Sequence, residues 1–408
     1  MLLCTFFETK STIKPLSLKE YNQLATWLKS VHMQPEDLLK EEDCISKASI
    51  EAKIEQERLR NLLSQGVKLG LTIEEWQSNG IWIMSRSDTY YPYYIKEHLK
   101  EKSPPLIFGV GNYKLLQGGG LGIVGSRNIN KYCEDFTHQV ARLCVHNNTT
   151  VISGGARGVD QTAMQTALNN GGNVIGILAE NLLRKSVEKQ NRQAIADNKL
   201  LLISPYSPMA PFSIGNAMGR NKLIYALSNY TLVVNSTYKK GGTWTGAEEE
   251  LKRHNARPIF VEINEHVDQG NLKLQELGAI SWPSDITNNT LKETLDKLIK
   301  INLLNKNNQI SFSAGTNDIM PIKECLSNSE EQTENSEIYE IILPSILKHL
   351  KEPIPIEHLA KETNILKMQL KIWLDRMIKD KFIKKLSKPI RYVIMENNIT
   401  QKNLLDFQ

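Results

Sequence analysis

Two glycine loops of this sequence each carry an arginine behind a short apolar run. Gly125–Arg127 follows the apolar run Leu121–Val124, and Ser153–Gly158 follows Val151 and Ile152. Glycine lets the backbone come close to a ligand, and the fork of an arginine side chain binds phosphate oxygens through two N–H groups. The glycines of a single loop suit a tight turn from strand to helix equally well. Because the pattern recurs, each time with an arginine, we favour an anion-binding site.

Further cations occur in two later segments rich in small residues. Arg220–Lys222 follows Gly219 and is predicted to open a helix, and Lys239–Thr243 follows the predicted strand Thr231–Asn235. Open α/β sheets bind ligands at the carboxyl ends of their strands, and we expect all of these cations on loops at that rim. Cations along one rim neutralise consecutive phosphates of a nucleic acid. The alternative for any single arginine is a solvated surface position.

The elements that would position these loops alternate between strand and helix. We therefore predict an α/β fold over 81–300, in the form of an extended Rossmann-like parallel sheet with helices on both faces. The predicted strands are Ile81–Met84, Leu121–Val124, Val151–Ser153, Val174–Leu178, Leu200–Ser204, Thr231–Asn235 and Pro258–Ile263. The predicted helices are Lys131–Val145, Gln161–Asn169, Glu188–Asp197 and Ala247–His254.

Residues 1–80 are predicted to be a helical region without a ligand signature. Ser17 and Glu20 have the spacing of a capping box at the start of a first helix. Ala48–Gln65 and Thr72–Gln77 are predicted to be the second and third helices. The two tryptophans of this region are expected in the core or in an interface.

The composition changes after residue 300. Residues 301–335 are rich in Asn, Ser, Thr and Glu and are predicted to be a linker. Residues 336–396 are predicted to form a winged helix, with helices at Glu337–Leu350, Pro355–Lys361 and Ile365–Lys379 and wing strands at Phe382–Leu386 and Ile390–Ile394. The nine lysines and arginines from Lys367 to Arg391 are compatible with a solvated face, a contact with duplex DNA or a partner-binding face. The sequence leaves these three options open.

The overall composition is that of a globular protein. The chain has 408 residues, which indicates about two or three domains. A formal net charge of +5 permits a nucleic-acid partner without demanding one. The five cysteines form no Cys-x-x-Cys pair, which favours reduced thiols and a cytoplasmic location. No stretch approaches the roughly 20 apolar residues of a membrane span, and the apolar start of the chain lacks the features of a signal peptide.

The order of the motifs resembles the DNA-processing protein A family, also called DprA or Smf. The matching features are Tyr91-Pro92, Pro104-Pro105, Gly125–Arg127, Ser153–Asp160, Arg220–Lys222 and Leu227-Ser228. The resemblance implies an extended Rossmann-like fold that binds and protects single-stranded DNA and forms a homodimer. In competence-linked members it further implies loading of a RecA-type recombinase. Members of the wider group act in transformation and recombination, and also in defence loci.

The resemblance carries nucleic-acid contacts onto individual positions of this chain. The candidate residues are Gly125, Ser126, Arg127, Ser153, Gly154, Gly155, Arg157, Gly158, Arg220, Asn221, Lys222, Lys239, Lys240, Gly241, Gly242 and Thr243. Lys222 stands where the family usually has an arginine, so the charge is kept while the planar fork is lost. The loop at Lys240–Trp244 and an N-terminal region without a Gly-x-Gly hairpin also depart from the family pattern.

We predict no catalytic residue, metal or cofactor, and therefore no enzyme. The alternative begins at Gly241–Glu248, which is similar to the Gly-Gly-x-Gly-Thr-x-x-Glu loop of nucleoside-monophosphate phosphoribohydrolases. The glutamate of those enzymes assists N-glycosidic cleavage. Here Lys240 replaces the usual proline and Trp244 the third glycine, where its side chain would crowd a phosphate. A nucleotide sensor without turnover is a related option.

Two further side chains have more than one predicted role. Trp244 is expected either to stack on a base or to pack in the core. Asp160 is expected to cap its helix or to orient Arg157, rather than to act as a catalytic acid.

Overall fold

The structure is a computed structural model that describes residues 1–5, 13–40, 42–284, 286, 290–313, 346–350, 352–363, 370–371, 373–374, 377–378, 382–386 and 391–394. The chain forms two compact units, Met1–Gly315 and Thr316–Gln408. The first unit contains the N-terminal helices and a nine-stranded sheet, and the second contains a two-stranded sheet. The domain boundaries expected from the sequence stay a prediction.

Four helices make up most of the N-terminal region. They are α1 (Leu18–Ser30), α2 (Glu42–Ala52), α3 (Gln56–Leu63) and α4 (Gly66–Ser78). The predicted capping box is confirmed, because Ser17 Oγ accepts from the N–H of Glu20 while the Glu20 carboxylate accepts from the N–H of Ser17. The single helix predicted over 48–65 is wrong: Lys53, at φ 54°, adopts a left-handed conformation that ends α2. Trp76 is fully buried, as expected, and packs edge-on against Phe108.

The central sheet has nine strands. They are β1 (Ile81–Ser85), β2 (Leu106–Val110), β3 (Leu121–Val124), β4 (Val151–Ser153), β5 (Val174–Ile177), β6 (Leu200–Ser204), β7 (Tyr230–Val233), β8 (Ile259–Val261) and β9 (Ile280–Ser281). Their order across the sheet is β1-β2-β6-β5-β4-β3-β7-β8-β9. The neighbours from β6 to β9 are parallel, which confirms the predicted α/β class.

One edge of the sheet differs from the prediction of a wholly parallel arrangement. β2 pairs with β6 in antiparallel register, with Phe108 opposite Ser204, and β1 pairs antiparallel with β2. All five residues of β2 are buried, as are all five of β6. A strand that is buried on both faces is a continuous apolar run in the sequence, and such a run does not reveal its direction.

Helices cover both faces of the sheet. They are α5 (Tyr93–Leu99), α6 (Lys131–His146), α7 (Val159–Asn169), α8 (Leu182–Val187), α9 (Lys189–Ala196), α10 (Ile214–Leu227), α11 (Gly241–Leu251), α12 (Gln269–Glu276) and α13 (Leu291–Ser313). Side chains of α6, α7, α8 and α13 share one apolar core, and those of α5, α10, α11 and α12 share the other. Strand residues alternate between these two cores, which fixes the register of the sheet.

Three helix boundaries differ from the expectations. α10 begins at Ile214, where Ser213 caps it by accepting from the N–H of Asn216 at 3.0 Å. α11 begins at Gly241 rather than at Ala247. Glycines in the first turns of both helices lower the local helix propensity, so the pattern suggested loops. α13 continues to residue 313, so residues 301–313, at the start of the predicted linker, are helical.

The second unit is described in pieces. Residues 346–349 are helical, α14 spans Ile356–Thr363, and β10 (Ile383–Leu386) pairs antiparallel with β11 (Arg391–Ile394). The predicted hairpin is therefore confirmed. Much of the predicted first and third helices and the turn of the wing lie outside the described residues, so the winged helix as a whole stays a prediction. Across the described residues, no helix combines the length and apolar character needed to span a membrane.

Candidate functional site

The strand order reverses around β3. The chain moves from β3 to β4, β5 and β6 on one side, and β7, β8 and β9 lie on the other side. In sheets of this kind the loops after the two strands at the reversal diverge to opposite faces and leave a crevice between them. Such a crevice is present, with a volume of about 910 Å³, between the loop after β3 at Gly125–Asn128 and the segment Ser236–Thr243 after β7. We call it the switch cleft.

A second cleft of about 450 Å³ lies beside the first and is called the side cleft. One wall consists of the loop after β4, Gly154–Arg157, together with residues of α7. The other wall is formed by Lys185 of α8 and by Gln190 and Asn191 of α9. Arg127, Ala156, Phe212 and Arg220 line both clefts, so the two clefts form one continuous site.

Arg127 and Arg157, which we call the outer arginines, are exposed and lack a carboxylate partner within the described part of the chain. Arg157 donates from Nη2 to Oδ1 of Asn128 at 3.2 Å. The guanidinium of Arg127 lies 5.3 Å from the ring centre of Phe212. Both contacts orient an arginine without neutralising its charge, which leaves both cations available to an anion.

The two arginine loops touch each other through their backbones. Gly158 has φ 87°, and a Cβ at this position would collide with the backbone of Ser126 and Arg127. The N–H of Val159 donates to the carbonyl of Ser126 at 3.3 Å, and the N–H of Ser126 donates to the carbonyl of Asn235 at 3.0 Å. The loops after β3, β4 and β7 are therefore held in fixed relative positions.

Arg220 lies beneath the outer arginines rather than beside them. It is only 5% exposed, and its Nη1 donates to the carbonyl of Gly154 and, at 2.7 Å, to that of Ile177. A Cβ on Gly154 would occupy the space of the guanidinium, so this glycine is needed for close approach. The expectation that Arg220 and Lys222 lie on a strand-end loop is wrong, because both belong to α10 and Arg220 points to the sheet side of that helix.

Asp160 balances the buried charge of Arg220. Burial raises the pKa of the Asp160 carboxyl, while Arg220 and hydrogen bonds from the backbone N–H groups of Ala156, Gly154 and Gly125 oppose that effect. Those N–H groups belong to both glycine loops. Asp160 therefore joins the loops from below and neither caps α7, whose N-cap is Gly158, nor orients Arg157.

The first turn of α11 forms the far wall of the switch cleft. Gly241, Gly242 and Thr243 line it beside Lys240. Thr243 donates from Oγ1 to the carbonyl of Gly125 at 2.9 Å, and Asn221 donates from Nδ2 to the carbonyl of Gly242 at 3.2 Å. The first turn of a helix has free N–H groups and a positive dipole end, so this wall attracts an anion.

The sequence matches the family described as DNA recombination-mediator protein A over residues 82–291, which is more than half of the chain. The chain belongs to this family. A DNA processing protein DprA from Bacillus subtilis is 26% identical over 235 residues, which cover 56% of this chain and 77% of that protein. A Smf protein from Synechocystis is 28% identical over 179 residues, covering 42% of this chain and 44% of that protein. The chain thus spans less than half the length of the Synechocystis relative.

A solved structure supports the fold of this family member. The X-ray structure of DNA processing protein A from Streptococcus pneumoniae superimposes with a TM-score of 0.54 at 20% identity. The match covers 65% of this chain and 90% of that one. At this level of identity the match establishes the extended Rossmann-like fold and no more.

Most of the predicted site residues do meet at the two clefts. The switch cleft is lined by Gly125, Ser126, Arg127, Arg220, Asn221, Lys240, Gly241, Gly242 and Thr243. The side cleft is lined by Gly154, Gly155 and Arg157, and Gly158 lies in the adjoining groove over α7. The glycine loops of this family member therefore border one continuous site, and their role in binding nucleic acid stays a prediction.

Three predicted residues lie apart from the clefts. Ser153 is buried in β4 and donates from its hydroxyl to the carbonyl of Ile123 at 2.6 Å. Lys222 pairs with Glu249 of α11 at 2.9 Å. Lys239 has its ammonium group over the ring of Tyr238, at 5.2 Å from the ring centre. These side chains line neither cleft.

The sequence reasoning missed an apolar wall of the switch cleft. Phe212, Ile214 and Met218 line the cleft while being 45%, 74% and 44% exposed. Large apolar side chains that remain exposed beside a cleft mark a binding surface. The available signal was the proline-rich loop at 205–211, which follows the carboxyl end of β6 and leads directly into Phe212.

Trp244 and Glu248 do not reach either cleft. Trp244 is 3% exposed and packs edge-on against Tyr238 at 4.9 Å between ring centres, so its core role is the correct one. Glu248 accepts from Lys252 at 2.8 Å and from Trp244 Nε1 at 3.1 Å, and the hydrogen bond from Lys252 lowers the pKa of its carboxyl. The described residues also contain no group of three His, Cys, Asp or Glu side chains that could hold a metal ion.

Proposed function

We propose that this member of the recombination-mediator family binds single-stranded DNA across the switch cleft and the side cleft. The observation that supports this most directly is the pair Arg127 and Arg157. Both are exposed, neither has a carboxylate partner among the described residues, and both stand on rigid loops at the junction of the clefts. Arginines in this setting are suited to successive phosphates of one strand.

The lining of the clefts favours an unpaired strand over a duplex. Phe212 and Met218 offer surface on which a base can stack, and stacking requires that the base is exposed. Gln161 and Gln165 face Gln190 across the side cleft, and amide side chains hydrogen-bond to base edges. A duplex presents its phosphates but hides most of its base surface.

The cellular role that we propose is recombination mediation. The relatives are named DNA processing proteins, and we extend this to protection of single-stranded DNA during DNA uptake, recombination or defence. We further propose a cytoplasmic homodimer that loads a RecA-type recombinase, with the C-terminal unit contacting duplex DNA. Exposed lysines of the wing, Lys384 and Lys385, support the last contact.

The test compares the wild type with a double variant that carries both Arg127→Glu and Arg157→Glu. Fluorescence anisotropy with labelled single-stranded and duplex oligonucleotides over a range of salt concentrations measures affinity and salt slope. We expect the wild type to prefer single strands and the double variant to lose at least about tenfold in affinity, because two phosphate contacts become repulsive. Unchanged affinity in a variant with wild-type thermal stability would refute the proposal.

A nucleotide sensor is the second candidate function. The switch cleft combines Lys240, the first turn of α11 and a volume of about 910 Å³, which suits a mononucleotide. Hydrolysis is less well supported, because Glu248 is held by Lys252 and Trp244 outside the cleft. We propose that no bond is broken. Incubation with nucleoside 5′-monophosphates should release no free base, and base release that depends on Glu248 would establish the enzyme instead.

A further inference from the structure

A basic surface lies next to the side cleft on α8 and α9. Arg184, Lys189 and Arg192 are all exposed, and none of them forms an ion pair with another described residue. Lys185, which lies among them in the sequence, is instead paired with Glu188 at 2.9 Å. We call Arg184, Lys189 and Arg192 the α8–α9 cations.

The two helices that carry these cations also build the side cleft. Lys185, Gln190 and Asn191 face the cleft, opposite the loop that bears Arg157. Each of the α8–α9 cations is an immediate sequence neighbour of one of these three lining residues. The cations therefore lie on the two helices that form this wall of the side cleft.

Exposed cations without an ion-pair partner raise the local positive potential, which attracts an anionic partner. A strand held at Arg127 and Arg157 supplies such a partner if it continues through the side cleft. Each phosphate contact then releases counterions and adds about 0.7 to the salt slope for a single strand. Three contacts would add about 2 to that slope.

We propose that the α8–α9 cations are a second contact zone for single-stranded DNA, engaged only by strands long enough to leave the side cleft. This inference rests on the proposed function, because it extends the same site. Strand length is the property of the DNA that the α8–α9 cations would recognise. Short oligonucleotides would occupy the arginine loops alone, whereas long ones would bind both zones.

The test uses the full chain with Arg184, Lys189 and Arg192 all changed to Gln. The matched control changes Lys19, Lys29 and Lys47 to Gln, since these are also exposed, lie on α1 and α2, and remove the same charge. Lysine, arginine and glutamine have similar helix propensities, so both variants should fold. Affinity and salt slope are measured with oligothymidylates of about 6 and about 30 nucleotides.

We expect the α8–α9 variant to bind the short strand as the wild type does, and to lose roughly tenfold in affinity for the long strand with a salt slope shallower by about 2. The control should match the wild type on both strands. If the α8–α9 variant keeps the long-strand affinity and slope, the inference is wrong although the proposed function stands. Weakened binding of the short strand would also overturn it, because the cations would then belong to the central site. If the wild type binds neither strand, the proposed function itself fails.

Discussion

Arg127 and Arg220 border the same two clefts, yet their surroundings are opposite. Arg127 is exposed, rests against Phe212 and has no carboxylate partner among the described residues. Arg220 is buried, bonded to two backbone carbonyls and balanced by Asp160. The arginines of this site therefore have two different roles. Arg127 and Arg157 are positioned to contact a ligand, whereas Arg220 holds the loop that carries Arg157.

The inner arginine should dominate stability. Arg220→Met removes the nearby cation that favours the ionised form of buried Asp160, and it leaves the carbonyls of Gly154 and Ile177 without this donor. Removing one member of a buried charge pair costs about 3–5 kcal/mol of unfolding free energy. Urea unfolding measures this loss, and Arg127→Met, which exposes no buried charge, should stay within about 0.5 kcal/mol of the wild type.

A second substitution sharpens this prediction. Adding Asp160→Asn to Arg220→Met removes the uncompensated charge, so part of the lost stability should return. If Arg220→Met is as stable as Arg127→Met, the inner arginine does not hold the loops, and the division between inner and outer arginines is wrong.

This division could not be derived from the motif alone. The sequence placed Leu200–Ser204, the capping box at Ser17 and the wing hairpin correctly, because each depends on local pattern. Gly215 and Gly219 made the first turns of α10 resemble a loop, so Arg220 was expected at a strand end. Within the helix, Arg220 lies three and four residues before Leu223 and Ile224 and shares their buried face. Membership of a buried helix face therefore separates the inner arginine from the two arginines on loops.

Ion pairing separates Arg127 from Lys222 in DNA binding, because only Lys222 has a carboxylate partner among the described residues. Arg127→Gln should lower single-strand affinity roughly tenfold, since it removes a free cation from both clefts. Lys222→Gln should change affinity less than about twofold, because Lys222 is already paired with Glu249 and lines neither cleft. Anisotropy titrations at low salt measure both. A larger loss for Lys222→Gln would mean that the family motif, rather than the geometry, identifies the contact.

Removing the aromatic ring beneath Arg127 should have a smaller effect on DNA affinity. Phe212→Ala removes the ring beneath the guanidinium and the exposed stacking surface in the switch cleft. We expect a loss of about 1 kcal/mol in single-strand binding, at the low end for a stacked base, because the ring is already half-covered. The salt slope should stay unchanged, since no charge is removed. A changed slope with full affinity would contradict the stacking role.

A second arginine–carboxylate pair, Arg58 with Glu20, tests the comparison at a site that is closer to solvent. Arg58 Nη1 lies 2.7 Å from Glu20 Oε1, and this hydrogen bond lowers the pKa of Glu20 from 4.5 to about 2. A lowered pKa gives stability that is fully present above about pH 4.5 and is lost as the pH falls through about 2. Because the pair is partly exposed, its contribution should not exceed about 1 kcal/mol, far below that of the buried pair.

The matched variant is Glu20→Gln, which keeps an acceptor for the N–H of Ser17 while removing the charge. Urea unfolding should show it up to about 1 kcal/mol less stable than the wild type near pH 7, and equal to it below about pH 2. Arg58→Met should show an additional loss that does not vary with pH, because Arg58 also donates to the carbonyls of Lys14 and Pro15. A deficit of Glu20→Gln that persists at low pH would assign the effect to packing rather than to charge. The contribution of the Arg58–Glu20 pair to stability would then not be electrostatic in origin.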